Sequence, residues 1–269
     1  MNKRSMRILG FSQIRDMLVR LAPSRLSKEE ARALNPDTDE DTVVKSLTDT
    51  EEAVVCLERE GQIPLGGITD IRPFLEKAKR EVTLSADECI AVWENAQRYG
   101  QIQDFFAPKG EEYPQLSQRA ETLGDFSLLV QRVGAVFDEN HQVRDNASVE
   151  LARLRTRIAE LERRTKRYIQ QILADKSYQK YFQDTLVTVR NNRSVIPIKQ
   201  EYRHAFPGIV HDMSASGATL YVEPLAVVDA NNDLQTAKLA EEKEIERIYR
   251  RLTALIAGQY EDCLLYTSP

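Results

Sequence analysis

The sequence predicts a mainly α fold: a helical core, and a long antiparallel helix pair that carries a small antiparallel β unit. β-Branched and apolar residues gather in short runs bounded by turn formers between Asp184 and Pro224. On both sides of that stretch apolar residues recur at helical spacing, and no Gly or Pro interrupts the chain from Gln142 to Tyr181. The composition agrees, because 42% hydrophobic and 29% charged residues in a chain of 269 suit long exposed helices better than a thick core.

In chain order, Ile8, Phe11, Ile14, Leu18 and Leu21 form a helical stripe that Pro23 ends. Asp37, Asp39, Glu40 and Asp41 suit the positive end of a second helix, which carries Leu47, Val54 and Leu57 and stops at Gly61. Asp70 is the expected N-cap of a short helix reaching Lys79, and Ser85–Glu88 reads as a capping box opening a helix with Ile90 and Trp93 inside. Pro108, Gly110 and Pro114 mark a loop, after which Leu123, Leu128, Leu129 and Val133 give further helix. Residues 1–141 are thus expected to form the helical core domain.

Residues 142–183 are expected to be an outgoing helix. Leu151, Leu154, Ile158, Leu161, Thr165, Tyr168 and Ile172 step alternately by three and four, a heptad seam with one polar member. About 40 unbroken helical residues would span ~60 Å, too long for a core element of a compact domain. Residues 225–260 are expected to return antiparallel, with Leu234, Ala237, Ile245, Ile248, Leu252 and Leu255 as the answering stripe, so that Leu161 faces the Ile245–Leu252 region. Residues 261–269 drop the charge pattern and read as an atypical, truncated tail.

The β unit, 184–224, resolves into two hairpins. Leu186, Val187 and Val189 are answered by Val195, Ile196 and Ile198 across the turn Asn191–Asn192; Ile209–Met213 is answered by Ala218–Val222 across Ser214–Gly217, where Gly217 can take positive φ. Pro207–Gly208 and Pro224 punctuate the unit.

Several function classes are disfavoured. Cys56, Cys89 and Cys263 form no CxxC pair, and with three scattered His they offer no metal-ligand spacing. Arg7, Arg15 and Asp16 interrupt any signal-peptide core, and no apolar run approaches a membrane span, so a cytoplasmic chain without membrane contact is expected. No phosphate-binding G-x-x-x-x-G-K-[ST] loop occurs. His211, Asp212, Ser214 and Ser216 invite a hydrolase reading, but neighbouring strand residues point to opposite faces, so His211 and Asp212 cannot act as a base and its orienter. No catalytic residue, cofactor or metal site is expected in this chain.

Binding remains. Arg190, Asn191, Asn192 and Arg193 lie at the first hairpin turn, and Lys199, Tyr202, Arg203 and His204 follow in the connection; Arg190, Asn192, Arg193, Lys199 and Arg203 are the expected phosphate contacts, with Tyr202 or Phe206 available to stack on a base. A second basic stretch, residues 153–167, holds seven basic against two acidic residues, although the whole chain carries a net charge of −5. A rival reading of the chain is a helical scaffold binding other proteins through its heptad seams.

The stretch VTVRNNRSVIPIKQEYRHAFPGIVHDMSASGATLYVEPLAVVDANNDL closely resembles the clamp-and-lever region of the second bacterial branch of the MutS proteins, and LTDTEEAVVCLEREGQIPLGGITDI and EEKEIERIYRRL are similar to that branch too. The resemblance reaches to about Tyr260 and makes 142–183 and 225–260 the levers and 184–224 the clamp of an N-terminal portion. It implies an ATPase, usually ending in an Smr endonuclease domain, that works as a homodimer on branched or structured DNA or on the ribosome, with roles in suppressing recombination and rescuing stalled ribosomes. ATP and Mg would then belong to an ATPase domain this chain does not include.

Overall fold

The computed structural model describes Met6, residues 8–22 and residues 24–265. The expected helix stop at Pro23, the interrupting Arg7 and the tail residues Tyr266–Pro269 lie outside the described residues. The chain divides into two compact units, one formed by the described residues up to Arg144 together with those from Ile248, the other by Asp145–Arg247. The fold is mainly α with one small antiparallel sheet, as the sequence predicts.

The first unit begins with α1 (Phe11–Leu21), α2 (Arg25–Ala33) and α3 (Glu40–Glu60). These helices form from local signals: Ser24 makes a capping box with Ser27, Asp39 caps α3 through Thr42, and Gly61 ends α3 at φ 74°. None of α1 or α2 is buried, and α3 buries Cys56. α4 (Arg72–Lys79), α5 (Ala86–Phe106), α6 (Pro114–Thr122) and α7 (Ser127–Gly134) follow. Asp70 is not the N-cap of α4; that position is Ile71, and the Asp70 carboxylate instead accepts from the Arg72 backbone at 3.2 Å and its guanidinium at 2.8 Å. The capping box at Ser85 and Glu88 is present. Cys56, Ile102, Phe106, Tyr113 and Ala120 make one apolar cluster of this unit, and Trp93, half-buried, donates its indole N–H to the Val130 carbonyl at 3.0 Å.

In the second unit α8 spans Val149–Ala174, capped by the Ser148 hydroxyl, and buries Leu151, Leu154, Ile158, Leu161, Thr165 and Ile169. The heptad seam therefore holds to Thr165 and then passes to Ile169, with Tyr168 and Ile172 half-buried beside it. The helix is 26 residues, shorter than the unbroken 142–181 run predicts. Asp175 stops it: its carboxylate accepts from the Ser177 hydroxyl at 2.7 Å and backbone N–H at 2.8 Å, a local turn that competes with helix continuation. α9 (Val228–Gly258) runs antiparallel to α8 within this unit. Ile158 and Leu161 pack with Leu234 and Ala237. Polar rungs flank them: Lys238 to Glu162 at 2.9 Å, Arg155 to Glu241 at 2.8 Å, and Ser148 to Glu244 at 2.6 Å.

Leu161 thus faces 234–238, not the Ile245–Leu252 region. The register is fixed at the sheet, where Ile169 of α8 and Val227 just before α9 enter one apolar cluster with Phe182, Ile196, Ile198, Phe206, Leu220 and Val222. Each large side chain removed from water there contributes about 1.5–3 kcal/mol.

Strands β1 (Thr188–Arg190), β2 (Arg193–Lys199), β3 (Gly208–Met213) and β4 (Thr219–Pro224) form the sheet in the order β1-β2-β4-β3, all antiparallel. Both expected hairpins are present. Asn191 and Asn192 take φ of 50° and 61°, as a two-residue type I′ turn requires. The β2–β4 pairing, Ile196 opposite Val222 and Ile198 opposite Leu220, welds the hairpins into one sheet. Gly208 is more than punctuation: a Cβ there would lie 2.4 Å from Val222 Cγ1 and 2.6 Å from the Glu223 carbonyl oxygen, so only glycine lets β3 approach β4.

The lever register is testable with Glu162→Cys and Lys238→Cys in one chain. A short bismaleimide should join them within a single molecule. The native thiols should stay silent, since all three are buried and burial pushes Cys89 up to about 12 and raises Cys56. Pairing Glu162→Cys with a cysteine at Arg247, nine residues along α9 from Lys238 and in the same unit, should give no such product. Linkage found exclusively between molecules would overturn the intramolecular pairing.

Candidate nucleic-acid interface

The five expected contact residues do not form one free surface. Arg193 opens β2, and its Nη1 lies 3.2 Å from Oε1 of Glu223, whose side chain is 1% exposed. Arg190 closes β1, with Nε 3.1 Å from the Asp212 carboxylate and its guanidinium 4.3 Å above the Tyr221 ring. Asn192 is exposed at the turn apex, while its neighbour Asn191 donates to the His211 carbonyl at 3.2 Å. Lys199 ends β2, half-exposed, and Arg203 is exposed in the β2–β3 connection. Asn192, Lys199 and Arg203 make no side-chain hydrogen bond or ion pair with another described residue.

Glu223 is the residue that sequence reasoning missed. A carboxylate buried in β4 is tolerable only when its oxygens are satisfied. Oε1 accepts from Arg193 and, at 2.7 Å, from Asn231 Nδ2 of α9; Oε2 lies 2.6 Å from His211 Nε2. A β-bulge at His211, where the β3–β4 register jumps from Val210 to Asp212, lets His211 reach Glu223 while Asp212 reaches Arg190. A glutamate inside the otherwise apolar run of β4, followed by proline, was the available signal.

The hydrolase arrangement is not assembled among the described residues. Ser214 accepts from the Thr219 backbone at 3.1 Å and sits 3.4 Å from Ser216, both within the turn, and His211 is taken by Glu223. Phe206 is not available to stack on a base: it is 5% exposed and packs edge-on to Tyr178 at 5.5 Å. Tyr202 is half-buried with its ring 4.9 Å from that of Tyr181.

The sequence has no phosphate loop, and among the described residues no three His, Cys, Asp or Glu side chains are grouped to hold a metal. No helix of the described residues is long and apolar enough to cross a membrane.

No family model matches the chain. Curated relatives do. It is 38% identical over 267 residues to "Endonuclease MutS2" of Geobacillus sp. (strain WCH70), covering 98% of this chain and 34% of the relative. The protein of the same name from Geobacillus thermodenitrificans is 38% identical over 264 residues, 97% of this chain and 34% of the relative. That from Symbiobacterium thermophilum is 38% identical over 267 residues, 99% of this chain and 33% of the relative. The chain belongs to the MutS2 family. It spans about a third of the length of the curated MutS2 relatives it matches.

The Glu223 cluster and the turn apex make opposite predictions for this MutS2 chain. Glu223→Ala strands Arg193 and His211 and should destabilise the sheet unit by about 3 kcal/mol, the low end for breaking a buried pair because both partners reach solvent. Asn192→Gly should change stability by less than about 0.5 kcal/mol, since the turn conformation suits glycine. Chemical denaturation followed by circular dichroism distinguishes the two.

Proposed function

We propose that this chain is the nucleic-acid-engaging core, lever and clamp portion of a MutS2-type ATPase that acts on branched or structured DNA or on the ribosome, suppressing homologous recombination or rescuing stalled ribosomes. The observation that carries this reading is the pairing of the levers around a sheet unit whose turn and connection leave Asn192, Lys199 and Arg203 without an internal partner. Arg190 keeps a part-exposed guanidinium that can exchange Asp212 for a phosphate, and Arg193 acts through Glu223 by holding the clamp together. The name of the relatives, an endonuclease, is consistent with a nucleic-acid target. Nucleotide, Mg and pairing with a second copy belong to the part of such a protein that this chain does not span. The scaffold reading is weaker, because the seam residues Ile158, Leu161, Leu234 and Ala237 are consumed by each other.

The test is the salt dependence of binding to a four-way DNA junction and to ribosomes. Binding should weaken steeply with salt, and Lys199→Gln with Arg203→Gln should reduce the slope of log affinity against log salt by about 2, at roughly 0.9 per lost contact on duplex DNA. ATP turnover should stay at background for parent and variant alike. Salt-insensitive binding, or none to either target, would reject the proposal.

A further inference from the structure

We propose that the outward face of α8, built on Arg157, Arg163, Arg164 and Arg167, is a track for the phosphate backbone of duplex DNA, distinct from the clamp turn and connection. This inference rests on the nucleic-acid reading above and assigns most of the charge contact to the lever.

The first support is an accounting of partners. From Arg153 to Lys180 the chain has nine basic and three acidic residues, in a sequence with 37 basic and 42 acidic overall. Two arginines of α8 are neutralised: Arg155 by Glu241 and Asp145, and Arg153 by Glu150 at 2.9 Å. Arg157, Arg163, Arg164 and Arg167 are exposed and have no carboxylate within ion-pair distance among the described residues. Arg163 instead donates to the Ala159 carbonyl at 3.2 Å, and Arg164 donates to the Tyr168 hydroxyl at 3.2 Å. Glu160 lies on the same face, three residues from Arg157 and Arg163 and four from Arg164, without an ion pair to any of them, so the face keeps a net charge of +3; Glu162 is turned to Lys238 on α9.

The second support is geometry. At about 100° per residue the four arginines fall within roughly 120° of one another, Arg163 and Arg167 opposite the buried row Leu151, Leu154, Ile158, Leu161 and Thr165 and Arg157 and Arg164 on its flank, with the single acid Glu160 inside the same arc. They cover about 15 Å of a straight helix. A rigid row of guanidiniums suits a regular polyanion, because duplex DNA carries one charge per ~1.7 Å of axis and each guanidinium can grip a phosphate through two N–H groups. Like charges at i,i+4, as at Arg163 and Arg167, cost the helix a few tenths of a kcal/mol, which a bound polyanion reverses.

The third support is continuity with the clamp. The ring contact between Tyr181 and Tyr202 places the turn Gln179–Tyr181 beside the turn Gln200–Tyr202. Exposed Lys180 and Arg203 flank that contact, so basic side chains stand on both turns within the same compact unit as α8, beside exposed Asp175 and Glu201.

The experiment compares the parent chain with a variant carrying Arg157→Gln, Arg163→Gln, Arg164→Gln and Arg167→Gln, using a labelled blunt DNA duplex, a duplex RNA of the same length and polyglutamate as probes across a salt series. The four side chains are exposed and none has a carboxylate within ion-pair distance among the described residues, so helicity and melting temperature should stay close to the parent's; measuring both excludes misfolding. The expected result is a slope on duplex DNA smaller by about 3 to 4, with affinity lost most at low salt. An unchanged slope in this variant, with a reduced one in the Lys199→Gln, Arg203→Gln variant, would overturn the lever track and leave the clamp reading standing. Parent protein that binds no nucleic acid would reject both. Polyglutamate or duplex RNA held more tightly than duplex DNA by the parent would overturn the assignment to DNA.

Discussion

The second unit depends on one buried carboxylate. Glu223 sits in β4 with almost no solvent contact and is held by Arg193 from β2, His211 from β3 and Asn231 from α9. An unpaired charge in that position would cost several kcal/mol, so all three donors must arrive together. That requirement explains two irregularities. The β3 bulge rotates His211 toward Glu223, and Gly208 allows β3 to lie close enough to β4 for the reach. Because Asn231 belongs to the first turn of α9 and also hydrogen-bonds the Ser194 carbonyl at 3.3 Å, the same carboxylate ties the start of the returning lever to the sheet. Ile169 and Val227 close the apolar side, and together the two attachments set how α8 and α9 slide along each other.

What was legible in the sequence was local. The capping box at Ser85 and Glu88, the Asn191–Asn192 turn and the seam from Leu151 to Thr165 each depend on residues within one or two heptads, and each is present. What was not legible depends on contacts across longer distances. The β2–β4 pairing joins strands that are not neighbours in sequence, and no turn signal announces it. The facing of Leu161 with Leu234 and Ala237 could not be counted from the stripes, because the seam looks the same after a shift of one heptad. The end of α8 at Asp175 was concealed by the absence of Gly and Pro, although an Asp followed two residues later by Ser is itself a local stop when the side chain is free to turn back.

The candidate site shows the same division more sharply. Residue type identified the basic side chains, but availability is a property of partners, and partners come from elsewhere. Arg193 reads as a free turn arginine until Glu223, thirty residues on, is folded against it. Phe206 reads as a stacking platform until the sheet cluster encloses it. On α8 the reverse holds: Glu162 is drawn to α9 and Glu150 is paired with Arg153, while Glu160, three residues from Arg157 and Arg163 and four from Arg164, makes no ion pair with any of them among the described residues. The arginines left over are a consequence of how the levers pair.

That pairing also explains why such a face is tolerable. The seam of α8 buries six side chains, and the large apolar ones each contribute about 1.5–3 kcal/mol, whereas each like-charge contact on the outer face costs a few tenths. The inner face can therefore carry the stability of the helix almost alone, and the outer face is free to vary in charge without unfolding it. A lever built this way separates the two demands by geometry: the buried row, an arc of about 80°, holds the fold, and the far side is left to solvent. The clamp sheet cannot make that separation, because in a four-stranded unit of this size the same arginine that lies near the surface is needed to satisfy a buried carboxylate. Electrostatic recognition is therefore more cheaply placed on the helix than on the sheet, and the partner accounting of Arg157, Arg163, Arg164 and Arg167 against Arg190 and Arg193 follows from that physical difference.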